Sequence, residues 1–168
     1  MSKVKITVII IVLILIMTFA VGCNNEGTID LELPNISIEI VDGDSIIELT
    51  NVNLSGVTLD DFSITRNDET SYFKGIKVSN LLNLLAEIED QEEIESLLFV
   101  AVDGYGEEQT ALPKANFNNA YLALLFSETE DGEFELLSEA NGPVRLYDTT
   151  QCTDVKSIKQ VARIVVAR

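Results

Sequence analysis

Residues 72–88 read YFKGIKVSNLLNLLAEI, and the period within that stretch decides the fold class. Val78, Leu81, Leu82, Leu85 and Ile88 recur at helical spacing, so a helix over Val78 to Ile88 has one apolar face and packs it on a core. It is the clearest amphipathic helix in the chain, and the segments around it carry the shorter rhythm of strands. Upstream, Ile36 to Ile40 alternates apolar and polar residues (ISIEI), and Ile46 to Val52 does so more loosely. Asp42-Gly43-Asp44 lies between them as a turn signal, which predicts a hairpin. Leu54 to Phe62 (LSGVTLDDF) reads as a turn followed by one short helical turn. Downstream, the acidic stretch Glu87 to Glu95 reads as a solvated helix end or loop, and its spacing matches no calcium loop. Leu97 to Val102 (LLFVAV) is an apolar strand that stops at Asp103-Gly104. Tyr121 to Phe126 (YLALLF) is a second one, ended by the acidic turn Glu128 to Gly132. Val144 to Tyr147 and Ile164 to Val166 complete the strands. One strong helix among many short strands joined by local turns argues an α+β domain with a mixed sheet.

Four of these segments also match a known pattern in order. Tyr72 to Leu82 (YFKGIKVSNLL) resembles the aromatic-x-Gly-Val-x-Leu-x-Asp-Leu-Leu segment of the sulfite-oxidase-type molybdopterin-binding domain family. Val100 to Tyr105 (VAVDGY) is similar to that family's Ala-x-Asp-Gly-Tyr strand end. Asn141 to Leu146 (NGPVRL) resembles its Gly-Gly-Pro-Leu-Arg-Leu. Val155 to Lys159 (VKSIK), with Ile164 to Val166, resembles its terminal Lys-Ser-Val-Lys-Trp segment and closing strand. Together they span about residues 46 to 166. The resemblance implies a mixed, partly barrel-like sheet with a few short helices, and a molybdopterin lying in a loop-lined cleft. Carried over, it puts Lys156, Ser157 and Lys159 in the terminal loop, and Arg145, Asp103 and Tyr105 in the other matched motifs, as cofactor-binding candidates. Cations there would make charge-assisted bonds to the cofactor's phosphate. Each residue also has a plainer reading. Asp103 caps a turn, Arg145 pairs with a neighbouring carboxylate, and Tyr105 packs on the sheet.

One departure from the family pattern is chemical. Catalytic members hold molybdenum through a cysteine thiolate between the first hairpin and the aromatic-Gly segment. The corresponding interval, Leu59 to Tyr72 (LDDFSITRNDETSY), contains no cysteine and is short for the usual loop. Neither Ser nor Thr substitutes for a soft thiolate. Cys152 lies in another loop, just before Lys156. It reads as a buried or half-buried structural thiol, the alternative being that it swings into the metal-ligand role. No cofactor and no metal site is therefore expected, and molybdopterin enters by resemblance alone.

The first residues set the compartment. Lys3 and Lys5 precede an almost unbroken apolar run from Ile6 to Ala20. The run is shorter than the roughly 20 residues a membrane span needs, and has the length of a signal-peptide core. It leads into Ala20-Val21-Gly22-Cys23, which resembles the lipobox of bacterial lipoproteins, where the cysteine is acylated and the peptide cut before it. The other reading is an uncleaved anchor helix. The expected organisation is a signal peptide over 1–22, a lipidated Cys23 with spacer over 23–34, and the molybdopterin-binding-like domain over 35–168. The chain would face outward from the bacterial cell membrane, held by its lipid. Ser2-Lys3-Val4-Lys5 holds no twin arginine, so export threads an unfolded chain. The family's cofactor is loaded into folded protein in the cytoplasm, and export of this kind would leave it behind.

Charge and composition remove other classes. The whole chain carries a formal charge of −17, and loss of Lys3 and Lys5 makes it two units more negative. Such a surface repels nucleic acid and anionic headgroups, so nucleic-acid binding is excluded and membrane attachment falls to the acyl chains. With no histidine in the sequence, His-based triads and imidazole acid–base chemistry are absent. The sequence thus predicts an extracytoplasmic lipoprotein, non-catalytic, binding a small-molecule or protein partner. The alternative is a molybdopterin-dependent oxidoreductase or its accessory electron-transfer subunit.

Overall fold

In the computed structural model of the chain, the described residues are 33, 35–85, 88–107, 111–150 and 156–168. The expected hairpin forms from β1 (Ser37–Asp42) and β2 (Ser45–Thr50). Asp42 pairs with Ser45, so the connection is only Gly43-Asp44, and Gly43 takes φ 58° as a tight hairpin turn demands. Alternation places Ile36, Ile38 and Ile40 inward, each 1% exposed. β1 then pairs in parallel with β11 (Val161–Ala167), the last strand. β11 runs antiparallel to β5 (Ser96–Ala101), and β5 carries the two-residue β6 (Leu112–Pro113) at its edge. The first sheet has the order β2-β1-β11-β5-β6.

The second sheet is antiparallel. Its path is β10 (Lys156–Ile158), β9 (Arg145–Asp148), β7 (Ala120–Ser127), β4 (Glu69–Lys77) and β3 (Asp60–Arg66), with β8 (Glu135–Leu136) also on β7. The β3–β4 hairpin takes in most of the interval Leu59 to Tyr72 that the sequence resemblance set against a cysteine-bearing loop. Arg66 pairs with Glu69, and Asn67 and Asp68 both take positive φ (52° and 65°), the conformation that Asn and Asp tolerate best among side-chain-bearing residues. Against β4, β7 has a bulge: Lys74 pairs with Leu125 and Gly75 with Ala123, leaving Leu124 extra. A Cβ on Gly75 would lie 2.3 Å from the Leu122 carbonyl oxygen, so only glycine fits there.

Helices are few and short. The helical turn expected within Leu54 to Phe62 comes earlier, as α1 (Asn51–Leu54). Thr50 Oγ1 accepts from the Val52 N–H, and Asn53 Oδ1 accepts from the Thr50 N–H at 2.9 Å. That reciprocal cap starts the turn at residue 51, and Asp60 to Phe62 are extended in β3 instead. α2 (Val78–Leu84) is shorter than the expected Val78 to Ile88. Gln91 Nε2 donates to the carbonyls of Leu82 (2.8 Å) and Leu85 (3.1 Å), satisfying the helix's open C-terminal acceptors, and Ile88 is buried from beyond the helix end. β5 likewise ends at Ala101, leaving Val102 exposed. Among the described residues no helix is long and apolar enough to cross a membrane.

The result is a mostly β, mixed architecture of α+β kind. Phe99, Leu97 and Ile164 of the first sheet are at most 1% exposed, as are Ile76, Leu122 and Leu124 of the second and Leu81 of α2. The second sheet has a smaller apolar cluster on its other face, built from Ile64, Phe73, Ala123 and Tyr147 with Phe62, Phe126 and Leu137 packed against it.

Candidate functional site

A cavity of about 380 Å³ lies between β5–β6 and β9–β10. Its shape follows from strand register. Lys156 pairs with Asp148 and Ile158 with Leu146, and side chains two apart on a strand share a face. Leu146, Asp148, Lys156 and Ile158 therefore line the cavity, opposite Phe99 and Leu112. Tyr105 reaches it from the turn after β5. That turn folds back because the Ala101 N–H donates to the Tyr105 carbonyl at 2.8 Å. It also needs Gly106, where a Cβ would lie 2.3 Å from the Phe99 carbonyl oxygen.

The polar groups of the cavity differ in how firmly they are held. Asp148 Oδ2 accepts from Asn116 Nδ2 at 3.3 Å, and Oδ1 accepts from the Thr150 N–H at 3.0 Å and from Thr150 Oγ1. This is an Asx turn that fixes the carboxylate at the end of β9. Lys156 is exposed on edge strand β10. Asn116 comes from the 3₁₀ segment Lys114–Asn119, which packs against α2.

The residues singled out by resemblance divide between several places. Tyr105 and Lys156 border the cavity, as does Ser157, whose hydroxyl nevertheless accepts from Arg145 on the opposite face of the ribbon. The terminal loop expected at Lys156 and Ser157 is instead β10, and Lys159 lies in the exposed bend after it. Asp103 caps its turn as the plainer reading had it, its Oδ1 accepting from the Tyr105 N–H at 3.0 Å. Tyr105 is 55% exposed rather than packed flat on the sheet. Arg145 occupies the opposite face of β9. No carboxylate pairs with it among the described residues. Its guanidinium donates to Asn141 Oδ1 and Ser157 Oγ, both at 3.0 Å, and stacks on the Tyr147 ring at 4.6 Å. Burial lowers the Arg145 pKa and raises that of Tyr147, because each charged form loses water there. Cys23 and Cys152 lie outside the described residues.

Sequence reading missed Asp148, Asn116 and Leu112. Asp148-Thr149-Thr150 was the available signal, since an Asp two residues before a Thr marks a self-capping turn.

A molybdopterin fits this lining poorly. Its phosphate calls for several cationic donors, whereas among the described residues the lining has one cation, Lys156, paired across the strands with Asp148. No cysteine falls within the described residues, and among them no group of three or more His, Cys, Asp or Glu is placed to hold a metal. Comparison with known proteins adds no relative: neither a protein-family model nor a curated protein matches the chain.

Proposed function

We propose that this chain is a non-catalytic binding module, tethered outside the bacterial cell membrane through Cys23, which takes a small organic molecule into the cavity between β5–β6 and β9–β10. The observation that carries the reading is the cavity itself. It combines apolar walls from Phe99, Leu112, Leu146 and Ile158 with a few fixed polar groups led by Asp148, the composition by which proteins hold small ligands. Its roughly 380 Å³ lies near the small end of the range of about 300–1,000 Å³ for such sites. The descent implied by resemblance is that of a sulfite-oxidase-type domain whose cleft no longer serves molybdenum.

The test is a thermal-shift screen of the full chain in detergent against pterins, flavins, nucleosides and free amino acids. A ligand at a hundred times its Kd raises stability by about 2.7 kcal/mol, a shift the screen resolves. At least one class should raise the midpoint of the native chain, and Ile158→Trp, which fills the cavity from its half-buried edge strand, should abolish that response. Ligand binding that survives Ile158→Trp would remove the cavity from the account, as would a screen without any response.

A further inference from the structure

The ligand's chemical class follows from how charge is arranged in this cavity, and the inference rests on the binding reading above. Asp148 and Lys156 are direct cross-strand partners, and such side chains start from Cβ atoms about 4.5–5.5 Å apart. Their charges differ in depth and in freedom. Asp148 is partly buried, with three acceptor contacts already made to Asn116 and Thr150. A carboxylate offers about four such positions, so Oδ2 keeps room for one further donor. Lys156 is exposed and, among the described residues, makes no hydrogen bond or ion pair. Its ammonium is carried at the rim on a flexible stem. Beside this opposed pair lies the apolar wall of Phe99, Leu112, Leu146 and Ile158.

We infer that the cavity binds a zwitterionic α-amino acid, or a molecule of dipeptide size, with an apolar side chain. The ligand's ammonium donates to Asp148, its carboxylate meets Lys156 at the rim, and its side chain is covered by Phe99, Leu112 and Leu146. A free anion is opposed by Asp148 and by the field of a chain with formal charge −17. A simple cation satisfies Asp148 but leaves its apolar part facing Lys156. Only a molecule with both charges on one end and an apolar body on the other complements all three elements.

Isothermal titration of the full chain in detergent at neutral pH, with L-leucine, L-phenylalanine, N-acetyl-L-leucine, L-leucinamide, a pterin and inorganic phosphate, tests this. Leucine and phenylalanine should bind and phosphate should not. Acetylation, which removes the ammonium, should weaken binding by about tenfold or more, as loss of a hydrogen bond to a charged group does. Amidation should cost only a few-fold, because Lys156 is exposed and solvent screens it. Asp148→Asn keeps an acceptor for Thr150 and should match the effect of acetylation, and Lys156→Met should match that of amidation. Lys156→Met and the capped ligands carry the test should Asp148→Asn fail to fold. Equal affinity for leucine and N-acetyl-leucine overturns the inference. A pterin that binds the native chain but not Ile158→Trp, with no amino acid bound, overturns it too and leaves the binding reading standing. Silence from every probe overturns the inference, while the wider screen of flavins and nucleosides decides the binding reading separately.

Discussion

The two faces of the β9–β10 pair show how one short ribbon does two unlike jobs. On one face Arg145, Tyr147 and Ser157 are locked together. The guanidinium stacks on the ring, donates to the Ser157 hydroxyl and reaches back to Asn141. Tyr147 goes on to meet Phe73 at 4.8 Å between ring centroids, and Phe73 meets Phe62 and Phe126. On the other face Asp148 is fixed but retains an open lone pair, Lys156 is unengaged among the described residues, and Leu146 and Ile158 line the cavity. Arg145 and Lys156 were alike in the sequence, two cations in motifs carried over together. Strand parity separates them, so that one holds the fold and the other faces a cavity. Charge alone does not identify a binding residue, and the face it falls on decides.

The largest effect that could break this comparison comes from the closed face. Phe73 is 4% exposed with three aromatic neighbours. Phe73→Ala should cost about 3–5 kcal/mol, the usual toll of emptying a packed aromatic site, read by denaturant unfolding of the full chain. A loss under about 1 kcal/mol would mean that the aromatic cluster is not a second core.

A smaller effect sharpens the contrast between the two cations. Arg145→Met removes two hydrogen bonds from a charged donor and strands Ser157 and Asn141 without their partner. It should destabilise by about 1.5–3 kcal/mol. Arg145→Lys should recover only part of that, since an ammonium can neither stack flat nor bridge both acceptors. Lys156→Met, on an exposed edge strand, should stay within about 0.5 kcal/mol of the native chain. Equal costs for the two methionine variants, measured by the same unfolding curve, would erase the distinction between the faces.

How far the sequence foretold this arrangement depends on whether the deciding interaction was local. The β1–β2 hairpin was legible because Asp42-Gly43-Asp44 and the alternation around it act within a few residues. The apolar runs that became β5 and β7 were legible because burial on both faces writes itself as unbroken hydrophobicity. The β3–β4 hairpin was not, because Asp60, Asp61 and Arg66 dilute the alternation of an edge strand and the Asn67-Asp68 turn resembles a polar loop. The end of α2 was misread because helical period continues to Ile88, while the cap that stops it comes from Gln91. The site was half legible. Tyr105, Ser157 and Lys156 lay in recognisable motifs, but Asp148 becomes relevant only through its register with Lys156, and Leu112 only through a two-residue strand at a sheet edge. Those are long-range facts with no local period.

The smallest expected effect is confined to alkaline pH, and it tests how completely the aromatic face excludes water. Burial raises the Tyr147 pKa, with the charges of Arg145 and Arg66 acting in the opposite direction. The phenol of an unfolded chain ionises near pH 10, whereas the folded one holds its proton to higher pH. Below about pH 10 both states are neutral and the contribution to stability is fully present. As pH rises through the folded pKa, unfolding releases a proton and that contribution is lost. Tyr147→Phe cannot ionise, so it lacks this decline. The difference in unfolding free energy between the native chain and Tyr147→Phe should be flat from about pH 6 to 9, at about 1 kcal/mol or less. Above pH 10 it should shift steadily in favour of Phe. Taking the difference removes what the two chains have in common. A flat difference across the alkaline range would mean that water reaches the Tyr147 hydroxyl, and the closed face of the ribbon would then be as open as the one that carries Lys156.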